Sequence, residues 1–281
     1  GDHNVSVNGG ANQTVAAGSF VTLNFTNPSN STFTITFDRV SSGADTGVRA
    51  IEIGGKLLVD NGVSVTNVPS IATTVRANPT AGFSIASWTA NGSTSPYPTI
   101  AHGLNAKPLL YMLKSRDGAR NWIVYTDVID GSLDFLRLNN TAAKQDSALP
   151  AVADSTVFYA GGADINTSGE GIIAYCFAPV EGYSAFGKFV GSSTTLPFVY
   201  CGFRPALIMV KDATSTGWFH VHDTARDPYN VSGARLFWGD SISEQENDSA
   251  YGFDILSNGF KVRNTHSESN ATGETYLFAA W

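Results

Sequence analysis

Charge is scarce in this chain: Asp, Glu, Lys and Arg supply 15% of its 281 residues, against about 25% in ordinary soluble domains. Positive charge is scarcer still. The 17 Lys and Arg stand against 24 Asp and Glu, for a net charge of -7, so no basic field exists to hold a nucleic-acid backbone and nucleic acid is excluded as a partner. Only two cysteines occur, Cys176 and Cys201, too few for a disulfide scaffold. Long apolar runs are missing as well. The longest, around Ile172 to Val180, is interrupted and flanked by Gly and Pro, so no segment reaches the roughly 20 residues of a bilayer span. Helical periodicity is also lacking: no window of a dozen residues keeps an i, i+3, i+4 apolar spacing, and the best candidate, Asn140 to Ala148, is polar on all sides.

What is present instead is 28 Ser, 26 Thr, 20 Asn and 28 Gly. A surface of hydroxyls and amides suits β-rich extracellular and virion proteins, whereas helices favour Ala, Leu, Glu and Lys. In Phe33-Thr34-Ile35-Thr36-Phe37 apolar residues alternate with Thr, the period of a strand with one buried face. Further strands are expected at Val5 to Val7, Phe20 to Phe25, Val48 to Ile53 and Leu57 to Val59, with positive-φ turns at Gly54-Gly55 and Asn61-Gly62. Residues 1–62 thus read as a small β unit. Residues 63–81 read as a linker, because Pro69 and Pro79 force extended backbone in a stretch without pattern.

The remainder contains an internal repeat. Pro108, Met112 and Lys114 match Pro205, Met209 and Lys211 at one constant offset; Trp122 and Asp127 then match Trp218 and Asp223 with one residue lost. Near the ends, Asn166-Thr167-Ser168-Gly169-Glu170 matches Asn270-Ala271-Thr272-Gly273-Glu274, and Tyr175-Cys176-Phe177-Ala178 matches Tyr276-Leu277-Phe278-Ala279. A period near a hundred residues suits a duplicated domain. The expectation is therefore all-β: tandem β-sandwich or jelly-roll-like domains at 82–180 and 181–281, preceded by the small N-terminal unit. One sandwich built from two pseudo-symmetric halves satisfies the same pattern.

Candidate chemistry is thin. His220 and His222 sit two residues apart on a strand and face one way, as two metal ligands would, but a third must come from distant His102 or His266. The repeat assigns Val124 and Thr126 to their places, which favours a structural strand; no metal site and no cofactor are expected. Glu170 and Glu274, with Asp127 and Asp223, could be imagined as glycosidase carboxylates, yet their recurrence in both copies favours turn capping. No G-x-S-x-G elbow and no phosphate-cradling glycine loop occur, so no catalytic residue is assigned and an enzyme is not expected. Cys176, aligned with Leu277, reads as a buried thiol acting as a small hydrophobe. About ten Asn-x-Ser/Thr triplets, including Asn91, Asn166 and Asn270, keep a glycosylated ectodomain as a minor alternative. Tyr229 after Pro228 and Trp238 beside Gly239-Asp240 are the weak ligand-binding candidates, for stacking on sugar rings, although places in a sandwich core are the plainer reading.

Several runs carry a resemblance: Gly82-Phe83-Ser84-Ile85-Ala86-Ser87-Trp88-Thr89-Ala90-Asn91-Gly92; His102-Gly103-Leu104 with Pro108; the stretch from Gly171 to Ser184; and Arg226-Asp227-Pro228-Tyr229-Asn230. Residues 82–281 thereby resemble an uncharacterised domain that recurs in large structural proteins of marine tailed phages, cyanophages among them. Upstream, Val48 to Asp60 is similar to the closing strands of lectin-like sandwich modules in phage fibre proteins. The resemblance implies a virion component: a tail fibre, spike or other tail appendage serving assembly and host-surface attachment. It implies as partners other virion proteins and a host-surface glycan or receptor, with a homotrimer as the common fibre state, and it transfers no catalytic residue. The alternatives are a capsid decoration or fibre protein and a polysaccharide depolymerase. A start at Gly1 without Met and an end at Trp281 within a strand-like run lead us to expect a processed product or a piece of a longer chain.

Overall fold

The computed structural model describes residues 3–7, 13–15, 35–39, 51–53 and 56–58 as backbone strands, and residues 69–238 and 251–281 in full. Two compact units divide the chain, 1–49 and 50–281. In the first, β1 (His3–Val7) lies between β2 (Gln13–Val15) and β3 (Ile35–Arg39), all antiparallel, with Val5 opposite both Gln13 and Phe37. The strand expected at Phe20 to Phe25 and the turns at Gly54-Gly55 and Asn61-Gly62 lie outside the described residues.

The second unit opens with β4 (Ile51–Ile53), β5 (Lys56–Leu58), β6 (Thr74–Asn78), β7 (Phe83–Thr89), β8 (Thr99–Ala101), β9 (Leu110–Ser115) and β10 (Ile123–Thr126). It continues through β11 (Asp134–Arg137), β12 (Gln145–Asp146), β13 (Val157–Tyr159) and β14 (Gly171–Phe177). These form an antiparallel sheet in the order β12-β11-β10-β9-β14-β7-β6-β5-β4, covered by a two-stranded β13-β8 sheet. Two boundaries thus differ from the sequence-based expectation. Residues 51–58 belong to the second unit, and the expected linker contains β6, which pairs along β7 with Val75 opposite Ala86. Pro79 ends β6 by opening a 3-10 turn, Pro79–Ala81, and the extended backbone before it is free to pair along β7.

The remaining strands are β15 (Ala185–Val190), β16 (Phe198–Tyr200), β17 (Leu207–Asp212), β18 (Phe219–Asp223), β19 (Leu236–Trp238), β20 (Phe253–Leu256), β21 (Gly259–Val262) and β22 (Thr275–Ala280). They form a five-stranded sheet, β15-β22-β17-β18-β19, and a three-stranded one, β16-β21-β20. The order repeats that of the preceding segment: β15, β22, β17, β18 and β19 fall where β7, β14, β9, β10 and β11 fall, and β16-β21 falls where β8-β13 does. The fold is all-β and sandwich-like.

Three apolar layers hold these sheets. Ala86, Trp88, Ile100, Tyr111, Leu113, Tyr125 and Phe158 fill the first sandwich, and Phe189, Val199, Ile208, Val210, Phe260, Tyr276 and Phe278 fill the second. Between the two large sheets lies a third layer with Leu110, Met112, Val124, Phe186, Met209, Phe219, Val221 and Leu277. Strands β9 and β17 therefore bury both faces, which is why Leu109 to Leu113 and Ala206 to Val210 are continuous apolar runs and not alternating ones. Across the middle layer, Phe177 and Phe186 each meet Trp281, with ring centroids 5.5 and 5.4 Å away.

The ladders also fix which residues correspond. Met112 faces Val124, and Met209 faces Val221. With the two methionines matched, His220 and His222 take the places of Ile123 and Tyr125, a correction to the Val124 and Thr126 read from sequence. On β14 and β22, Tyr175 and Ala279 face the same two methionines, so Cys176 corresponds to Ala280 and not to Leu277. The Asn-x-x-Gly-Glu match fits this register; the Tyr-x-Phe-Ala match was a slip along similar strands.

That Asn-x-x-Gly-Glu motif ties the last strand of each half to the first. Gly169 and Gly273, at φ of 85° and 86°, donate their N–H groups to the carbonyls of Ala90 and Gly191. The Asn166 and Asn270 amides donate to the Ser93 and Ser192 carbonyls at 2.8 and 3.0 Å. Both asparagines are buried, which leaves no room for a glycan on either. Asn270 makes the fuller set, also accepting from Ser192 N at 2.8 Å and donating to the Asn264 carbonyl at 2.6 Å. Asn270→Ala is expected to destabilise by about 2–3 kcal/mol, since buried groups lose their partners, and Asn166→Ala by less; paired thermal melts check the order.

Candidate functional site

The histidines and carboxylates weighed from sequence as metal ligands or a glycosidase pair are each engaged separately among the described residues. His220 and His222 are fully buried in β18, where His220 Nε2 lies 3.3 Å from Glu268 Oε2 and the His222 ring meets the Phe253 edge at 4.8 Å. His102 is held elsewhere, with Nε2 3.2 Å from the Asp154 carbonyl and Nδ1 accepting from Leu104 N. His266 Nε2 lies 2.6 Å from the Tyr251 hydroxyl, and its Nδ1 accepts from Glu268 N. Burial pushes the imidazoles of His102 and His222 down to about 4 and about 3, and lowers that of His220 against the pull of Glu268.

The four carboxylates are each engaged locally. Glu170 accepts from Ser115 at 2.7 Å and Arg120 at 2.8 Å beside the end of β9, while Asp127 pairs with Lys107 beside its start. In the second half, Glu274 accepts from the Thr214 hydroxyl and Asp223 pairs with Arg226 at 2.6 Å. Glu170 and Asp127 thus sit at opposite ends of a six-residue strand, about 17–20 Å apart at 3.3 Å per residue, whereas glycosidase pairs stand about 5–10 Å apart. Both cysteines are free, with burial pushing the thiols up to about 12 at Cys176 and about 11 at Cys201.

Among the described residues one carboxylate cluster has metal-like spacing: Asp130, Asp134 and Asp146. The ammonium of Lys144 stands at its centre, 2.7, 2.8 and 2.9 Å from the three. Partial burial opposes the charge on Lys144, yet hydrogen bonds to the three carboxylates hold its pKa above the ordinary lysine value. Asp134 is fully buried, and that burial raises its own pKa. Lys144→Gln is expected to cost about 3–5 kcal/mol, as for breaking a buried pair. The loss should shrink as pH falls and Asp134 protonates, which thermal melts at pH 7 and pH 4.5 would show.

The two sequence-nominated aromatics are exposed, contrary to the core reading: Tyr229 is 81% exposed in the loop after β18 and Trp238 45% exposed on β19. No described contact brings them together. A second pair was not singled out from sequence. On β16, Phe198 and Tyr200 are 46% and 68% exposed, while Val199 between them is buried. The register places Phe198, Lys261 and Asp254 in one row across the sheet and Tyr200, Gly259 and Leu256 in the next; Val199, Phe260 and Ile255 point inward. Arg263 binds Asp254 at 3.2 Å, so it joins the same outward face. From there the surface continues into an open cleft of about 560 Å³ lined by Thr194, Leu196, Arg263, Asn264, His266 and Ser267 among others.

A signal for this pair did exist. The register matches Thr99-Ile100-Ala101 of β8 with Phe198-Val199-Tyr200 of β16. The middle residue is aliphatic and buried in both, Ile100 and Val199, and strand alternation then turns the flanking aromatics outward.

These features define an all-β, sandwich-like protein with exposed aromatic side chains on its outer sheets. More particularly, residues 57–281 match the family described as a domain of unknown function (DUF7483), and the chain belongs to that family. No curated protein and no solved structure matches the chain.

Proposed function

We propose that this chain is a structural and attachment module of a virion appendage, a tail fibre, spike or related tail-associated part, which works by shape and contact. The observation that carries the reading is an all-β sandwich presenting aromatic side chains that its own core does not use. The likeness of residues 82–281 to a domain of marine-phage virion proteins supports it, as does a surface rich in hydroxyls and amides and poor in charge. In this reading the partners are neighbouring virion proteins and a host-surface glycan or receptor, and the working form is a homotrimer. No helix among the described residues is long and apolar enough to cross a membrane.

Cryo-electron microscopy of a particle carrying the protein tests the proposal, together with the solution mass of the chain. Three copies per appendage at a distal tail position are expected. Copies spread over the capsid would replace the reading with a decoration role. Release of reducing sugar from host envelope polysaccharide by the purified chain would replace it with a depolymerase.

A further inference from the structure

We infer that the outward face of the β20-β21-β16 sheet, with the cleft that continues it, binds an acidic oligosaccharide. Phe198 and Tyr200 stand two residues apart on one strand, about 7 Å along it, so a single oligosaccharide of two or three units reaches both rings. Aromatic faces suit the apolar C–H faces of sugar rings. The fold does not require these rings: in the first sandwich the matched outward places hold Thr99 and Ala101. There the edge strand β8 is covered by Ser70, whose N–H donates to the Thr99 carbonyl at 2.9 Å while Thr99 N donates to Ser70 Oγ at 2.8 Å. No described strand or hydrogen bond covers β16 in the corresponding way.

Charge decides what kind of sugar. The chain carries a net -7, yet among the described residues this face holds two cations, Lys261 and Arg263, against the carboxylate of Asp254. Arg263 is paired with Asp254, whereas Lys261, beside Phe198 in the register, makes no ion pair among the described residues. A carboxylate or sulfate on the sugar complements that lysine. The adjoining cleft supplies hydroxyls from Ser193, Thr194, Thr265 and Ser267, groups that hydrogen-bond sugar hydroxyls. A peptide strand fits less well, because β16 offers an edge of only three residues.

The inference deepens the attachment reading and rests on it for its biological setting, but the two fail separately: particle position tests the first, and binding in solution tests this one. The experiment is calorimetric and NMR titration of the full chain with a uronic-acid hexamer, a sulfated hexose hexamer, a neutral glucan hexamer and free sulfate. Binding of one or both acidic hexamers is expected, with the comparison separating carboxylate from sulfate recognition. Phe198→Ala and Tyr200→Ala should each weaken it about tenfold or more, as for central aromatic anchors, with little change in melting temperature because both rings face out. Lys261→Gln should remove the preference for acidic over neutral hexamer, and added salt should do so partly. Tyr229→Ala should bind as the parent does. Failure of both acidic hexamers to bind, equal binding of the neutral one, binding that survives both aromatic changes, or binding matched by free sulfate would each overturn the inference.

Discussion

Made as separate chains cut between Val180 and Ser184, the two sandwiches are expected to be molten or insoluble, and to fold when produced together. Each half has its own inner core, but each large sheet also carries half of the middle layer. Cutting the chain exposes Leu110, Met112, Val124 and Leu136 on one side and Phe186, Met209, Phe219 and Leu277 on the other. Each such side chain is worth about 1.5–3 kcal/mol when fully buried, so four per side approach or exceed the total stability of about 5–15 kcal/mol usual for a domain. Backbone bonds across the halves, Lys144 N to the Ala213 carbonyl and Gly217 N to the Thr141 carbonyl, would be lost as well. Heteronuclear NMR of each half and of the mixture is the measurement. Dispersed spectra from an isolated half would mean that the middle layer is a dispensable contact between independent domains.

The second large effect is acid destabilisation carried by buried histidines. His222 and His102 have folded-state values of about 3 and about 4, lowered first by burial, against 6.5 when unfolded. Their contribution is therefore complete above pH 6.5 and is lost as pH falls below it, at about 1.4 kcal/mol per pH unit for each histidine until its folded value is reached. Denaturant unfolding at pH 8, 6 and 5 should show stability falling with pH in that window. His222→Phe is the informative variant, because Tyr125 holds the corresponding place in the first sandwich, stacked 5.3 Å from Tyr111. The variant should match the parent at pH 8 and lose less below pH 6.5. An unchanged slope would assign the acid sensitivity to other groups.

Both results bear on how far the residues alone could be read. Composition and the period-2 pattern announced an all-β chain, because backbone extension and alternation are local properties that each strand states for itself. Register was harder. A strand buried on both faces, such as β17, has no polar face to mark its phase, so a slip of one or three residues costs nothing in the pattern. That is how His222 came to be aligned with Thr126 and Cys176 with Leu277. The N-terminal boundary failed for a related reason: β6 is half-buried to exposed along its length, so it carries little apolar pattern to mark it as a strand.

By itself, then, the sequence determined the β class, a consequence of local spacing and composition. Only the tertiary structure decided which faces meet. It turned the apolar runs of β9 and β17 into a third layer, gathered Asp130, Asp134 and Asp146 around Lys144, and sent Phe198 and Tyr200 outward while Val199 went in. Burial is a property of what packs against a strand, and a strand carries no record of its neighbour until the sheets are stacked.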